Sequence, residues 1–241
     1  MSIIIYLGNI GSGKTAYAVR EMFKRPYRTY YSNIVTRKIK NSILLKPEMI
    51  FSKRPDPKNP KHTEQILNID FWKSCKKPIS VIFDEAHNIL NSRKGMNRQN
   101  ILIGEFLSLL RRVLGGDTAS DLILISQLSR RLDIIAREMS TKVYFFVSHF
   151  KKVCKKCGYI WRENSEMPEQ ASECPFCNHY DIKKFSHILE VKVFSSVDNF
   201  DLWKEEGIKT YYRQFIVNDI ENVFNKYDTL QWENMFSQEY E

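Results

Sequence analysis

The chain has 241 residues, enough for one α/β domain with a sizeable core and a small appendage, and cramped for two full domains. Lysine and arginine outnumber aspartate and glutamate by 37 to 28, a formal charge of +9 that favours polyanionic partners such as nucleic acid. No stretch approaches the roughly 18 consecutive apolar residues of a membrane span, and the glycine-rich loop near the start leaves no room for a signal peptide, so a soluble intracellular protein is expected.

Residues 3–7 read as a buried strand. They run into Gly8, Asn9, Ile10, Gly11, Ser12, Gly13, Lys14 and Thr15, which match G-x-x-x-x-G-K-[ST], and then into the opening of a helix. The glycines let successive N–H groups turn toward an anion, and the helix adds its free N–H groups and positive dipole end. These eight residues are expected to bind ATP, with Lys14 reaching the β- and γ-phosphates and the Thr15 hydroxyl ligating Mg²⁺. A chance glycine-rich turn is the alternative; the flanking strand and helix weigh against it.

Residues 30–34 suggest a second strand. From about 38 to 77 the chain is basic, proline-punctuated and weakly periodic, and 52–60 has the chemistry of a loop, either a solvated surface or a DNA contact. Residues 79–83 are mostly apolar and end in Asp84 and Glu85, as a central parallel strand does when its carboxyl end faces a ligand. Asp84 is expected to help hold Mg²⁺, and Glu85 to orient and deprotonate the attacking water.

Residues 100–114 carry apolar side chains at helical spacing and stop at Gly115 and Gly116. Arg111 and Arg112 close that helix, as complements to its dipole or as a finger offered to a neighbouring subunit. Residues 121–127 form another buried strand, whose terminal Gln127 would sit beside the γ-phosphate. Arg130, Arg131 and Arg137 follow on a short helix. At least one is expected to act in trans, with Arg137 the catalytic candidate.

Beyond a strand at 142–147, four of the five cysteines stand in two C-x-x-C pairs. Cys154, Cys157, Cys174 and Cys177 have the spacing C-x₂-C-x₁₆-C-x₂-C, inside the range of a closed, structural four-thiolate zinc site. A redox dithiol or a disulfide pair is the competing reading, and His149 and His179 are spare ligands. Residues 143–150 and 188–194 both read as strands, which places the zinc module at the tip of an antiparallel ribbon. Its lysines and its aromatics Tyr159, Trp161 and Phe176 suit nucleic acid, a protein partner, or merely a small core with solvating charges. A short helix at 200–206 and an edge strand at 214–217 follow. The end, 218–241, suggests no chemistry.

The order of these pieces resembles the FtsK–HerA branch of P-loop ATPases. Within it, Phe83-Asp84-Glu85-Ala86-His87 with Ser92-Arg93 looks like the Zot-like ATPases, the assembly motors of filamentous phages; viral DNA-packaging ATPases share the layout. The resemblance covers about 1–150 and resumes at Tyr227-Asp228-Thr229. It implies an α/β, RecA-like fold with a mainly parallel sheet, ATP and Mg²⁺ as ligands, and a hexameric or pentameric homo-oligomeric ring that translocates double-stranded DNA.

Zot-type assembly ATPases usually carry a membrane-spanning segment after the motor domain. None is present in this sequence, which moves the expectation toward packaging DNA into a viral capsid in the host cytoplasm, with a capsid or portal protein as partner. Phage extrusion or conjugation through a separate membrane partner is one alternative; a nucleotide-gated zinc-ribbon nucleic-acid-binding protein with little turnover is another. The expected organisation is an ATPase core at 1–150, a zinc-ribbon insertion at 151–186, and C-terminal strands and helices at 187–241 that complete or pack on the core.

Overall fold

Short runs of β-branched and aliphatic residues separated by amphipathic helices dictate a sheet buried on both faces. The computed structural model describes residues 2–55, 63–88, 98–114, 120–164 and 173–232. In chain order these form β1 Ser2–Leu7, α1 Lys14–Lys24, β2 Thr29–Ser32, β3 Ile34–Thr36, β4 Ser42–Leu44, α2 Pro47–Ile50, β5 Phe51–Pro55, β6 Thr63–Leu67, α3 Ile69–Ser74 and β7 Ile79–Phe83. There follow α4 Arg98–Leu114, β8 Asp121–Ile125, α5 Ile134–Glu138, β9 Lys142–Cys154, β10 Ile160–Asn164, β11 Ile182–Phe194, α6 Val197–Glu206, β12 Arg213–Val217 and β13 Tyr227–Trp232.

The main sheet has the order β12-β11-β9-β1-β8-β7-β2-β4, with β10 joined to β9. From β9 to β4 all neighbours are parallel, while β10, β11 and β12 add antiparallel to that edge. The sheet is therefore mainly parallel, as expected of a P-loop NTPase, and β8 lies between β1 and β7. The carboxyl ends of these three strands face the same side, which is where an open α/β sheet presents its ligand site. Among the described residues no helix is long and apolar enough to cross a membrane.

Two apolar layers sandwich the sheet. On one face α1 packs with Tyr6, Ile82, Ile123, Phe146 and Leu189, joined by Ile220, Val223 and Tyr227 from near the end of the chain. On the other, α3 and α4 pack Trp72, Phe106, Leu107 and Leu110 against Ile3, Ile5, Val81 and Leu124. The terminal segment is held to α1 by Asp219, which accepts from Arg20 Nε at 2.7 Å and pairs with Lys24 Nζ at 2.6 Å. It ends in β13, which pairs antiparallel with β3.

Two expectations change. The segment read as a loop at 52–60 begins as strand: β5 pairs with β6 from Phe51↔Leu67 to Pro55↔Thr63, and Pro55 is tolerated because it ends a strand in a two-stranded sheet. Arg130 and Arg131 sit on a separate 3₁₀ turn before α5, so they do not share a helix with Arg137. Ser92, Arg93, Gly115 and Gly116 lie outside the described residues.

Trp72 is fully buried against Tyr31, Phe71 and Phe106, with ring centroids 5.1 to 5.5 Å away, and its indole Nε1 has no hydrogen-bond partner. Trp72→Ala should destabilise the chain by roughly 3–5 kcal/mol in urea denaturation, the usual cost of such a cavity. Trp72→Phe should cost clearly less, because it leaves no bond unmade.

Candidate nucleotide-binding site

The loop after β1 is wound as its glycines require. Gly8, Gly11 and Gly13 have φ of 151°, 75° and 85°. A Cβ on Gly8 would lie 2.7 Å from the Phe146 carbonyl, and one on Gly13 would lie 2.6 Å from Leu189 Cδ2, so the loop is pressed against β9 and β11 with no space for a side chain. Lys14 is buried, and its Nζ donates to the carbonyls of Gly8 at 2.8 Å and Asn9 at 2.9 Å, folding the ammonium back over the loop. Burial lowers its pKa, while the charges of Glu85 and Asp84 act in the opposite sense.

Thr15 begins α1 and its hydroxyl donates to Asp84 Oδ2 at 2.9 Å. Asp84 is fixed from two further sides. Its backbone N–H donates to Asn33 Oδ1 at 2.7 Å and its carbonyl accepts from Asn33 Nδ2 at 2.9 Å, so the Asn33 amide serves as a strand partner beyond the end of β2. Its Oδ1 also accepts the Glu85 N–H at 3.0 Å. Burial, reinforced by the neighbouring Glu85 charge and opposed by the Thr15 bond, pushes the Asp84 carboxyl up to about 6. A carboxylate so reluctant to ionise alone is a position that a cation would stabilise.

Glu85 has φ of 49°, left-handed backbone that costs a non-glycine residue about 1–2 kcal/mol. The turn brings its carboxylate to the cavity wall, with Oε2 3.2 Å from His87 Nδ1 yet lacking a hydrogen-bond partner. Strain and an unsatisfied buried oxygen at one residue are features of functional positions.

Lys14, Thr15, Asp84, Glu85 and Gln127 line a single cavity of about 730 Å³ together with Ile10, Gly11, Gly13, Ala16, Asn33 and Ile34. The remaining wall consists of His187 from β11 and Phe224, Tyr227 and Asp228 from the end of the chain. Sequence reasoning left Asn33, His187 and the 218–241 segment without a role. Asn33 could have been suspected, as a polar residue ending a strand beside β7; the other wall depends on the return of the chain across α1, which no local pattern announces. Of the expected arginines none among the described residues lines the cavity. Arg112, Arg130 and Arg131 are exposed, Arg130 being paired with Glu205, while Arg137 is half-buried with its Nε shielded and unpartnered.

The residues fit the groups the sequence suggested. A loop of inward N–H groups with a buried lysine suits a triphosphate, and the Thr15 hydroxyl beside the Asp84 carboxylate suits Mg²⁺. At the far end of β9 and β11 the Sγ atoms of Cys154, Cys157, Cys174 and Cys177 all lie within 4.8 Å of one another, with Cys154–Cys177 and Cys157–Cys174 at 3.6 Å. Four thiolates at about 2.3 Å from zinc would sit roughly 3.8 Å apart. The two knuckles repeat one geometry. Gly158 N–H donates to the Cys154 carbonyl and Asn178 N–H to that of Cys174; both residues have positive φ, and the Cys154 and Cys174 N–H groups close the turns on Tyr159 and His179. His149 instead bonds Glu190 at 2.9 Å.

The zonular occludens toxin (Zot) family model matches residues 2–170. The chain belongs to the Zot family. No curated protein sequence matches it. Among solved structures, the N-terminal domain of zonular occludens toxin from Neisseria meningitidis is 18% identical, with a TM-score of 0.47 over 94% of this chain and 98% of that one. B204, the DNA-packaging ATPase of Sulfolobus turreted icosahedral virus, is 17% identical, with a TM-score of 0.39 over 60% and 75%. The genome packaging NTPase B204 of Sulfolobus turreted icosahedral virus 2, in complex with ATPγS, is 14% identical, with a TM-score of 0.36 over 60% and 74%.

The zinc geometry of this Zot-family chain gives a direct expectation. Metal analysis of the purified protein should find one zinc per chain, and Cys174→Ser should abolish stoichiometric zinc and lower the melting temperature. Full occupancy in that variant would contradict a four-thiolate site.

Proposed function

We propose that the chain is an ATP hydrolase of the packaging and assembly type, working as a homo-oligomeric ring that moves double-stranded DNA. The observation that carries this reading is the meeting of Thr15 from the first turn of α1 with Asp84, Glu85 and Gln127 from beyond the ends of two adjacent parallel strands, on the cavity above the glycine-rich loop. Membership of the Zot family and the +9 charge support the motor role and the DNA partner.

The geometry supports one assignment of roles. The loop N–H groups and the end of α1 receive the triphosphate, and Lys14 exchanges the Gly8 and Asn9 carbonyls for phosphate oxygens. Thr15 and Asp84 would hold Mg²⁺, which supplies charge neutralisation at the β- and γ-phosphates. Glu85, on the cavity wall, would take a proton from the attacking water, and the Gln127 amide, beyond the end of the strand between, would contact the terminal phosphate.

With no arginine on the described cavity wall, charge developing on the γ-phosphoryl group is met by an arginine from an adjacent copy, which makes turnover depend on assembly. Arg112 and Arg131 point outward as they stand; Arg137 would serve after its shielded side chain is released. The zinc module is structural, stiffening the tip of the β9–β11 ribbon, and a capsid or portal protein is the partner class for a ring that fills a capsid.

Glu85→Gln should retain ATP binding and lower turnover by at least about 100-fold, the scale of a lost general base. In the wild type, turnover per chain should rise with protein concentration and with added double-stranded DNA. A rate indifferent to both would remove the ring motor and leave a nucleotide-gated binding protein.

A further inference from the structure

The cavity has two chemically different sides. Asp84 follows β7, two strands from the loop-bearing β1, and gathers Thr15, Glu85 and Gln127 around it. His187 lies on β11, two strands from β1 in the opposite direction, beside Phe224. At about 4.8 Å per strand, roughly 20 Å of sheet separates β7 from β11, with the phosphate loop midway.

The second side is aromatic and pre-set. The His187 ring stacks on Phe150 at 4.7 Å and 19°, and its backbone N–H is tied to Glu221 Oε1 at 2.8 Å. Phe224 stands 5.5 Å from His187 at 47°, and it is 42% exposed although Val223 before it and Tyr227 three residues on are buried. A phenyl ring left open on the wall of a cavity, against an imidazole already immobilised by a second ring, has surface to offer a flat ligand and little use as core. The 82% exposed Ile10 at the loop tip lines the same cavity.

We propose that Phe224 and His187 form the nucleobase platform of the site, Phe224 stacking on the base while the loop holds the phosphates. The inference rests on the nucleotide-binding reading above and extends it: the C-terminal segment is part of the ligand site. Aromatic faces grip any base by its π-surface and favour the larger purines, so the phosphates and the stack would carry affinity together.

The test compares Mg²⁺–ATP with Mg²⁺–tripolyphosphate, which has the phosphates but no base, by calorimetric titration of the full chain. Phe224→Ala should weaken ATP roughly 5- to 100-fold, the range for one lost base stack, and leave tripolyphosphate within about twofold. Phe224→Trp, which keeps a stacking face, should restore ATP affinity and guards against loss through misfolding. Equal weakening of both ligands, no weakening of either, or a wild type that binds tripolyphosphate as tightly as ATP would overturn the platform while leaving the phosphate site intact. A wild type that binds neither ligand would overturn the platform and the nucleotide-binding reading together.

Discussion

A hydroxyl from the first turn of α1 and a carboxylate 69 residues later in the chain meet at 2.9 Å, and the rest of the site is arranged around that contact. It reaches across β8, which is inserted between β1 and β7. Asn33 then locks the end of β7 from the other side. Two adjacent acids, one of them raised to about 6 by burial, face one buried lysine. A divalent cation beside the two acids would offset that excess of negative charge and favour the ionised form of Asp84.

The same strands that wall the loop also carry the zinc knuckles. β9 runs without interruption from the Phe146 carbonyl, which closes over Gly8, to Cys154, roughly 26 Å away at about 3.3 Å per residue. β11 returns from the knuckles to Leu189, which closes over Gly13. Residues 150–151 and 186–187 lie within β9 and β11, and the register of β11 shifts between Lys184 and Ser186. The C-terminal segment completes the arrangement by crossing α1, anchored through Asp219 and β13, and delivering Phe224, Tyr227 and Asp228 to the cavity.

Much of this was legible because its causes are local. Gly8 through Thr15 announce themselves by spacing, residues 79–85 by an apolar run ending in acids, and the cysteines by two matched pairs. Long-range closure was not legible. Apart from the Tyr227-Asp228-Thr229 resemblance, the end at 218–241 suggested no chemistry, since Ile220, Val223 and Tyr227 face α1 only after the chain has gone through β11, α6 and β12. Likewise β5 and β6 are recognisable only as a pair, because β5 is basic and ends in proline while β6 opens on three polar residues.

The central claim is that Thr15 and Asp84 serve one metal ion on one triphosphate. Mn²⁺ affinity in the presence of ATPγS, followed by electron paramagnetic resonance for the wild type, Thr15→Ala, Asp84→Ala and the double variant, tests it most directly. Each single change should weaken Mn²⁺ by at least about tenfold, and the double change should cost less than the sum of the two, as residues sharing one ligand do. Strict additivity, or an Asp84→Ala protein that binds Mn²⁺ as well as the wild type, would contradict it.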